Sequence, residues 1–176
     1  MARPDLAIEP FASIADCKLM IDYFHRASDE ALRVMRVDRR LVPAPGVWLR
    51  QLLSDLDRAL TERTAYYLSW WLDGRPVGHS NVNRLVYGSD AFVHLHLWDT
   101  DLRNRGLGGQ FFARSVAHYL EVLRLQRIVC EPCADNPHAN RVLARAGFLW
   151  VRRERTIPGP LCVPQDVNRW ELDLRK

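Results

Sequence analysis

No stretch of this chain approaches the ~18 consecutive apolar residues of a membrane-spanning helix, so no membrane partner is expected. The opening Met1-Ala2-Arg3-Pro4-Asp5 has none of the apolar run that marks a secretory signal, which points to a cytoplasmic location. Cysteine is scarce: Cys17, Cys130, Cys133 and Cys162 are the only four. Cys130 and Cys133 have the spacing of a zinc or redox pair, but no second pair accompanies them, so buried or bystander thiols are the better reading. Internal repeats and low-complexity tracts are missing. The arginines are scattered among acids, and a net charge of +4 favours anionic ligands without requiring nucleic acid. Two familiar phosphate loops are also missing. No Gly-Lys-Ser/Thr ends a glycine-rich turn, and Phe111 stands where a dinucleotide fingerprint needs its third small residue.

What is there is enough for one domain. A chain of 176 residues with 48% hydrophobic content can bury a sizeable core, and no second domain is expected. The stretch Arg103-Asn104-Arg105-Gly106-Leu107-Gly108-Gly109 follows the alternating run Phe92 to Trp98. It precedes Gln110 to Leu120, whose apolar positions recur at helical spacing. The order is strand, glycine-rich turn, helix. Glycines allow close backbone approach, and the first N–H groups of a helix have no partner of their own, so the turn suits an anion.

This Arg-x-x-Gly-x-Gly pattern resembles the acetyl-CoA signature of the GCN5-related N-acetyltransferases (GNAT). A second block, Asn136 to Gly147-Phe148, is an asparagine, a short helix and a Gly-Phe entry into a strand, and it resembles the next block of the same family. The resemblance covers roughly Tyr66 to Leu174. It implies an α/β (α+β) fold with a mixed, mostly antiparallel sheet, a splayed parallel strand pair and flanking helices. The chain then divides into a helical acceptor-side region, 1–65, and a sheet and CoA-binding core, 66–174.

The elements expected from the sequence fit that plan. Helices are expected over Ile14 to His25, from Ser28 to about Met35, and from Val47 to about Arg63. Strands are expected over Tyr66 to Leu72, Arg75 to Leu85 and Phe92 to Trp98, with Asp73-Gly74 as a hairpin turn. A helix from Leu107 to Leu123 then leads to a parallel strand at Arg127 to Glu131. Asn136 caps a helix that starts at Pro137 and closes at Gly147, and strands at Phe148 to Thr156 and Val167 to Leu174 follow. The final strand and the Pro158 to Pro164 loop could support a homodimer.

The resemblance also assigns cofactor contacts. It places the N–H groups of Arg105, Gly106, Leu107, Gly108, Gly109 and Gln110 on a pyrophosphate, with Arg103 beside them. The backbone of Leu97 and Trp98 would bond the pantetheine arm, and Asn136 and Asn140 would reach that arm from the other side. One departure stands out: Leu143 occupies the position where the family often has a tyrosine acid for the departing thiolate.

Acyl transfer to an amine needs a base, because the amine is mostly protonated at neutral pH. His94 and His96 sit two apart on a strand, so both face one side of the sheet, and imidazole titrates near neutrality. The pair resembles the histidines of aralkylamine acetyltransferases. The ordinary alternative is a pair of packed strand histidines. Glu131 is a second candidate base, with a salt-bridged carboxylate as its ordinary reading. Zinc on His94, His96 and a neighbouring His79 is weaker, since spacing fixes no third ligand, and no metal is expected. Trp48, Trp70, Trp71 and Trp98 suggest an aromatic-walled cleft, or simply core. The expected activity is acetyl transfer from acetyl-CoA to an amine acceptor in a ternary complex. Rival readings are a non-catalytic CoA-binding module and an acyltransferase supplied by an acyl carrier protein.

Overall fold

The structure, a computed structural model, describes residues 4–175. Residues 1–3, where the segment read above for a signal begins, lie outside the described residues. Seven strands form one sheet in the order β1-β2-β3-β4-β5-β7-β6. They are β1 (Leu6–Pro10), β2 (Tyr66–Leu72), β3 (Arg75–Val86), β4 (Asp90–Leu97), β5 (Arg127–Cys130), β6 (Leu149–Thr156) and β7 (Gln165–Asp173). Among the described residues five α-helices accompany them: α1 (Ile14–Arg26), α2 (Asp29–Val34), α3 (Pro45–Leu56), α4 (Leu107–Val122) and α5 (Pro137–Arg145). All pairings are antiparallel except β4 with β5. Among the described residues no helix is long and apolar enough to cross a membrane.

Local chemistry sets most boundaries. Ser13 and Asp16 form a reciprocal capping box at the start of α1, and Ser28 caps α2 through the Ala31 N–H. Asp73 and Gly74 both have positive φ, as a tight hairpin turn between β2 and β3 requires. Asn136 accepts from the Ala139 N–H, and Pro137 opens α5.

Two expectations need correction. The sequence suggests only helices before Tyr66, yet β1 pairs with Leu68 to Leu72 of β2. Its five residues are too short to carry an alternation signal. It forms because β2, with Trp70 and Leu72 buried, would otherwise present an apolar sheet edge. The helix expected to reach about Arg63 stops at Leu56. Arg63 Nη2 donates to the Leu56 carbonyl, and Asp55 accepts from the Thr64 and Ala65 amides, which turns the chain out of the helix.

Strand alternation sorts side chains onto two faces. On one face Leu68, Val82, Val93 and Ile128 pack with Phe112 and Tyr119 of α4, and Leu143 and Phe148 close that core. Trp70 stacks on Phe111 at 5.2 Å in an adjoining cluster. On the other face Met20 and Phe24 of α1 and Leu52 of α3 build a second core, against which Trp48 and Tyr67 pack. Gly78 lies between β4 and Trp70 of the adjoining cluster. A Cβ there would stand 2.5 Å from the His96 carbonyl oxygen and 2.8 Å from Trp70, so only glycine lets β3 approach β4 this closely.

Candidate active site

The parallel pair opens partway along. β4 and β5 are in register only from Asp90↔Arg127 to Phe92↔Val129, and a 3.3 Å bond from the Cys130 thiol to the Val93 carbonyl is the next link. β4 nevertheless continues to Leu97. The Trp98 N–H bonds the Val77 carbonyl on β3, so by alternation Val93, Leu95 and Leu97 aim their polar groups toward β5. Past Val93 they meet no strand, and backbone groups left this way call for another partner. Of the two residues expected to bond a pantetheine arm, Leu97 faces the gap. The Trp98 amide is already engaged.

At the end of that gap lies the glycine turn. Gly106 has φ +77° and precedes α4. The first helical bond runs from the Gln110 N–H to the Gly106 carbonyl, so the N–H groups of Leu107, Gly108 and Gly109 have no helical partner. A Cβ on Gly108 or Gly109 would meet nothing within 4 Å, and both residues border the open cleft. Arg103 lines the same cleft and donates weakly to the Leu97 carbonyl at 3.4 Å. Gly106, Gly108, Gly109 and Arg103 line one continuous cleft of about 1640 Å³, while Arg105 and Gln110 lie outside its lining and Leu107 is buried.

Asn136 and Asn140 differ. Asn136 lines the cleft while its Oδ1 caps α5. The Asn140 amide donates to the Cys133 and Asn136 carbonyls, and its Oδ1 accepts from Asn168 and from the Trp170 indole. Every polar atom of Asn140 is therefore engaged within the protein, which makes it a brace between α5 and β7. Leu143 is fully buried in the first core and does not line the cleft.

The other end of the cleft lies over β3 and β4, under α1 and α3. His94 and His96 both line it, and His79 of β3 stands opposite His96 in register. The His79 and His96 rings stack at 4.8 Å with a 10° interplanar angle. Parallel rings of this kind do not converge on a shared point, and among the described residues no group of three or more potential ligands is placed to hold a metal ion. The Trp98 indole donates to His79 Nδ1 at 2.8 Å, and Tyr23 stacks on Trp98 at 5.8 Å. Burial lowers all three histidines. His79 falls well below its ordinary value, pushed further by His96 and His94. His94 is held at about 4 by burial and then Arg84, and His96 at about 3 by burial, His94 and Arg103. All three are neutral at pH 7, and His94 Nε2 has no hydrogen-bond partner in the protein.

Glu131 also reaches the cleft, but its carboxylate is almost fully buried and bonded to Arg169 at 2.8 Å, and Arg169 Nε holds Glu171. Tyr23, Phe24 and the Pro158–Gly159–Pro160 strap were not legible as site residues from the sequence, although the alternation of His79, Asn81 and Asn83 along β3 was a usable signal.

The chain belongs to the GNAT acetyltransferases: a family model described as an acetyltransferase (GNAT) domain matches residues 52–156. No curated protein matches it. Among solved structures it is similar to the ribosomal-protein-S5-alanine acetyltransferase of Vibrio fischeri, at 14% identity over 96% of this chain and 92% of that one, with a TM-score of 0.75. It is also similar to RimL, a ribosomal L7/L12 α-N-protein acetyltransferase in complex with coenzyme A, at 16% identity, 96% and 94% coverage and a TM-score of 0.75. A third is the aminoglycoside acetyltransferase AAC(6')-Ib with coenzyme A, at 13% identity, 97% and 96% coverage and a TM-score of 0.72. These likenesses establish the fold.

Proposed function

We propose that the protein transfers an acetyl group from acetyl-CoA directly to a primary amine, with both substrates bound together. The observation that carries the reading is one cleft with three kinds of free polar group in sequence. Unpaired helix amides stand at one end, unpaired strand backbone in the middle, and neutral imidazoles at the far end. Two same-fold neighbours hold coenzyme A, which is consistent with the first two.

In this reading the N–H groups of Leu107, Gly108 and Gly109, with Arg103 beside them, hold the pyrophosphate. Leu95 and Leu97 offer backbone groups to the pantetheine amides, and Asn136 borders the arm. The amine nitrogen attacks the thioester carbonyl, the C–N bond forms, the C–S bond breaks, and CoA leaves as thiolate. The ammonium gives one proton to solvent before attack, His96 takes the second as the C–N bond forms, and His94, with its free Nε2, passes it to solvent in the cleft. Glu131 is assigned no proton transfer, because Arg169 holds its carboxylate. With Leu143 in the core, no side-chain acid is assigned to the thiolate, and a thiol with a pKa of ~8.5 is a tolerable leaving group without one.

Calorimetric titration with CoA and acetyl-CoA tests the cofactor half, and amine-dependent thiol release tests the chemistry. An Arg103→Ala, Arg105→Ala variant is expected to bind about tenfold or more weakly. Failure of folded protein to bind either ligand defeats the proposal.

A further inference from the structure

We infer that the acceptor is a small monoamine with an uncharged, apolar body, and not a polyamine or an amino sugar. This rests on the acetyl-transfer reading for which end of the cleft receives the acceptor. The chemistry of the walls stands independently of it.

The walls of that end are Met20, Tyr23 and Phe24 from α1 and Trp48 and Leu52 from α3. At its mouth Val34 and Leu41 are 67% and 46% exposed, apolar side chains without a protein partner over much of their surface. The acids tell the same story. Asp55, Glu131 and Asp135 are the carboxylates that line the cleft among the described residues. Asp55 accepts from the Thr64 and Ala65 backbone, Glu131 is paired with Arg169, and Asp135 lies near Arg153 at 3.9 Å. A ligand with several ammonium groups would leave water without free anions to receive them, and Arg33, Arg36 and Arg103, which also line the cleft, would repel them. A single ammonium can rest among aromatic faces and beside neutral imidazoles until it loses its proton.

The roof restricts size. The β6–β7 loop is stitched to the segment after α2: the Asp38 N–H bonds the Leu161 carbonyl at 2.9 Å, the Val163 N–H bonds the Arg36 carbonyl at 3.3 Å, and Val37 bridges Cys162. This strap closes one side of the chamber. A small molecule can enter end-on, whereas a peptide laid across the face would meet the strap.

The test is calorimetric titration of phenethylamine, spermidine, kanamycin and a short peptide with a free N-terminal alanine, each with and without saturating CoA. Phenethylamine is expected to bind at least about tenfold more tightly than the others. Trp48→Ala is expected to lose about tenfold of that affinity. Leu41→Glu, at an exposed position that leaves the fold intact, is expected to raise spermidine affinity by about tenfold. Spermidine, kanamycin or the peptide binding as well as phenethylamine, no phenethylamine binding, or a spermidine affinity unchanged in Leu41→Glu would overturn the inference. Thiol release reads the other proposal separately: phenethylamine bound without turnover refutes acetyl transfer and upholds the chamber.

Discussion

The indole Nε1 of Trp98 donates to Nδ1 of His79 at 2.8 Å, joining the end of β4 to the middle of β3. That bond needs a lone pair on Nδ1, so His79 is neutral and carries its proton on Nε2. Because His79 stacks on His96, its tautomer bears on the ring proposed to take the proton. Trp98→Phe keeps an aromatic ring beside Tyr23 and removes the donor, leaving a buried acceptor unpaired. A loss of about 1–3 kcal/mol is expected, seen as a Tm lower by several degrees. Long-range ¹⁵N NMR at pH 7 should find Nδ1 of His79 unprotonated in the parent protein, and a protonated Nδ1 contradicts the assignment.

Acid should weaken the fold through the same cluster. The folded pKa values of His94 and His96, about 4 and about 3, lie below the ordinary 6.5, and His79 is lowered too. Between those values and 6.5 the unfolded chain binds more protons than the folded one. The stability from neutral burial is therefore complete above about 6.5 and declines as pH falls toward 4. Thermal melts should show a Tm several degrees lower at pH 5 than at pH 7.5, and His96→Asn should flatten that slope. A Tm independent of pH across this window would speak against imidazoles held neutral by the fold.

Much of this cluster was readable in the chain, and some of it was not, for a physical reason. His94 and His96 share a face because strand alternation is local, and the glycine turn and Asn136–Pro137 start are equally local. The helices before Tyr66 were expected to wall the acceptor side, but Tyr23 and Phe24 were not singled out, because on α1 they read only as apolar helix positions. Their neighbours His79, His96 and Trp98 lie more than fifty residues away in sequence. Asn140 shows the converse. The family resemblance implies a cofactor contact for it, yet Asn168 and Trp170 on β7 claim its amide oxygen. β1 was hidden because its stability comes from the edge it covers.

Glu131→Gln separates a base from a brace. The Glu131 carboxylate is 4% exposed and bonded to Arg169, which is 14% exposed. Removing the charge leaves Arg169 with Glu171 alone, so stability should fall by about 2–3 kcal/mol, toward the low end for a broken buried pair. Turnover per folded molecule should change less than threefold or so, far below the ~10²-fold loss expected of a base. A large loss of kcat with an unchanged Tm would return Glu131 to the proton-transfer role.

Asn140→Ala should behave as a structural lesion. It strips partners from the Trp170 indole, the Asn168 amide and two carbonyls, at a cost of about 2–4 kcal/mol by urea unfolding. CoA affinity, measured at a temperature where the variant remains folded, should stay within about threefold of the parent, under 1 kcal/mol. A selective loss of CoA binding at full stability would instead make Asn140 a ligand contact.

Gly108→Ala and Gly109→Ala give a test in which stability and binding move in opposite directions. Neither glycine has the positive φ that would require it, and an added Cβ meets nothing within 4 Å, so packing does not explain either residue. Alanine should therefore stabilise the first turn of α4 in the free protein, by up to about 0.5–1 kcal/mol per site. The same methyl groups would stand in the open approach to the Leu107, Gly108 and Gly109 amides. If a pyrophosphate rests there, calorimetric CoA affinity should fall by about tenfold or more while the Tm rises. A stabilised variant with parental affinity would show that the amides are open to water only and that the anion binds elsewhere.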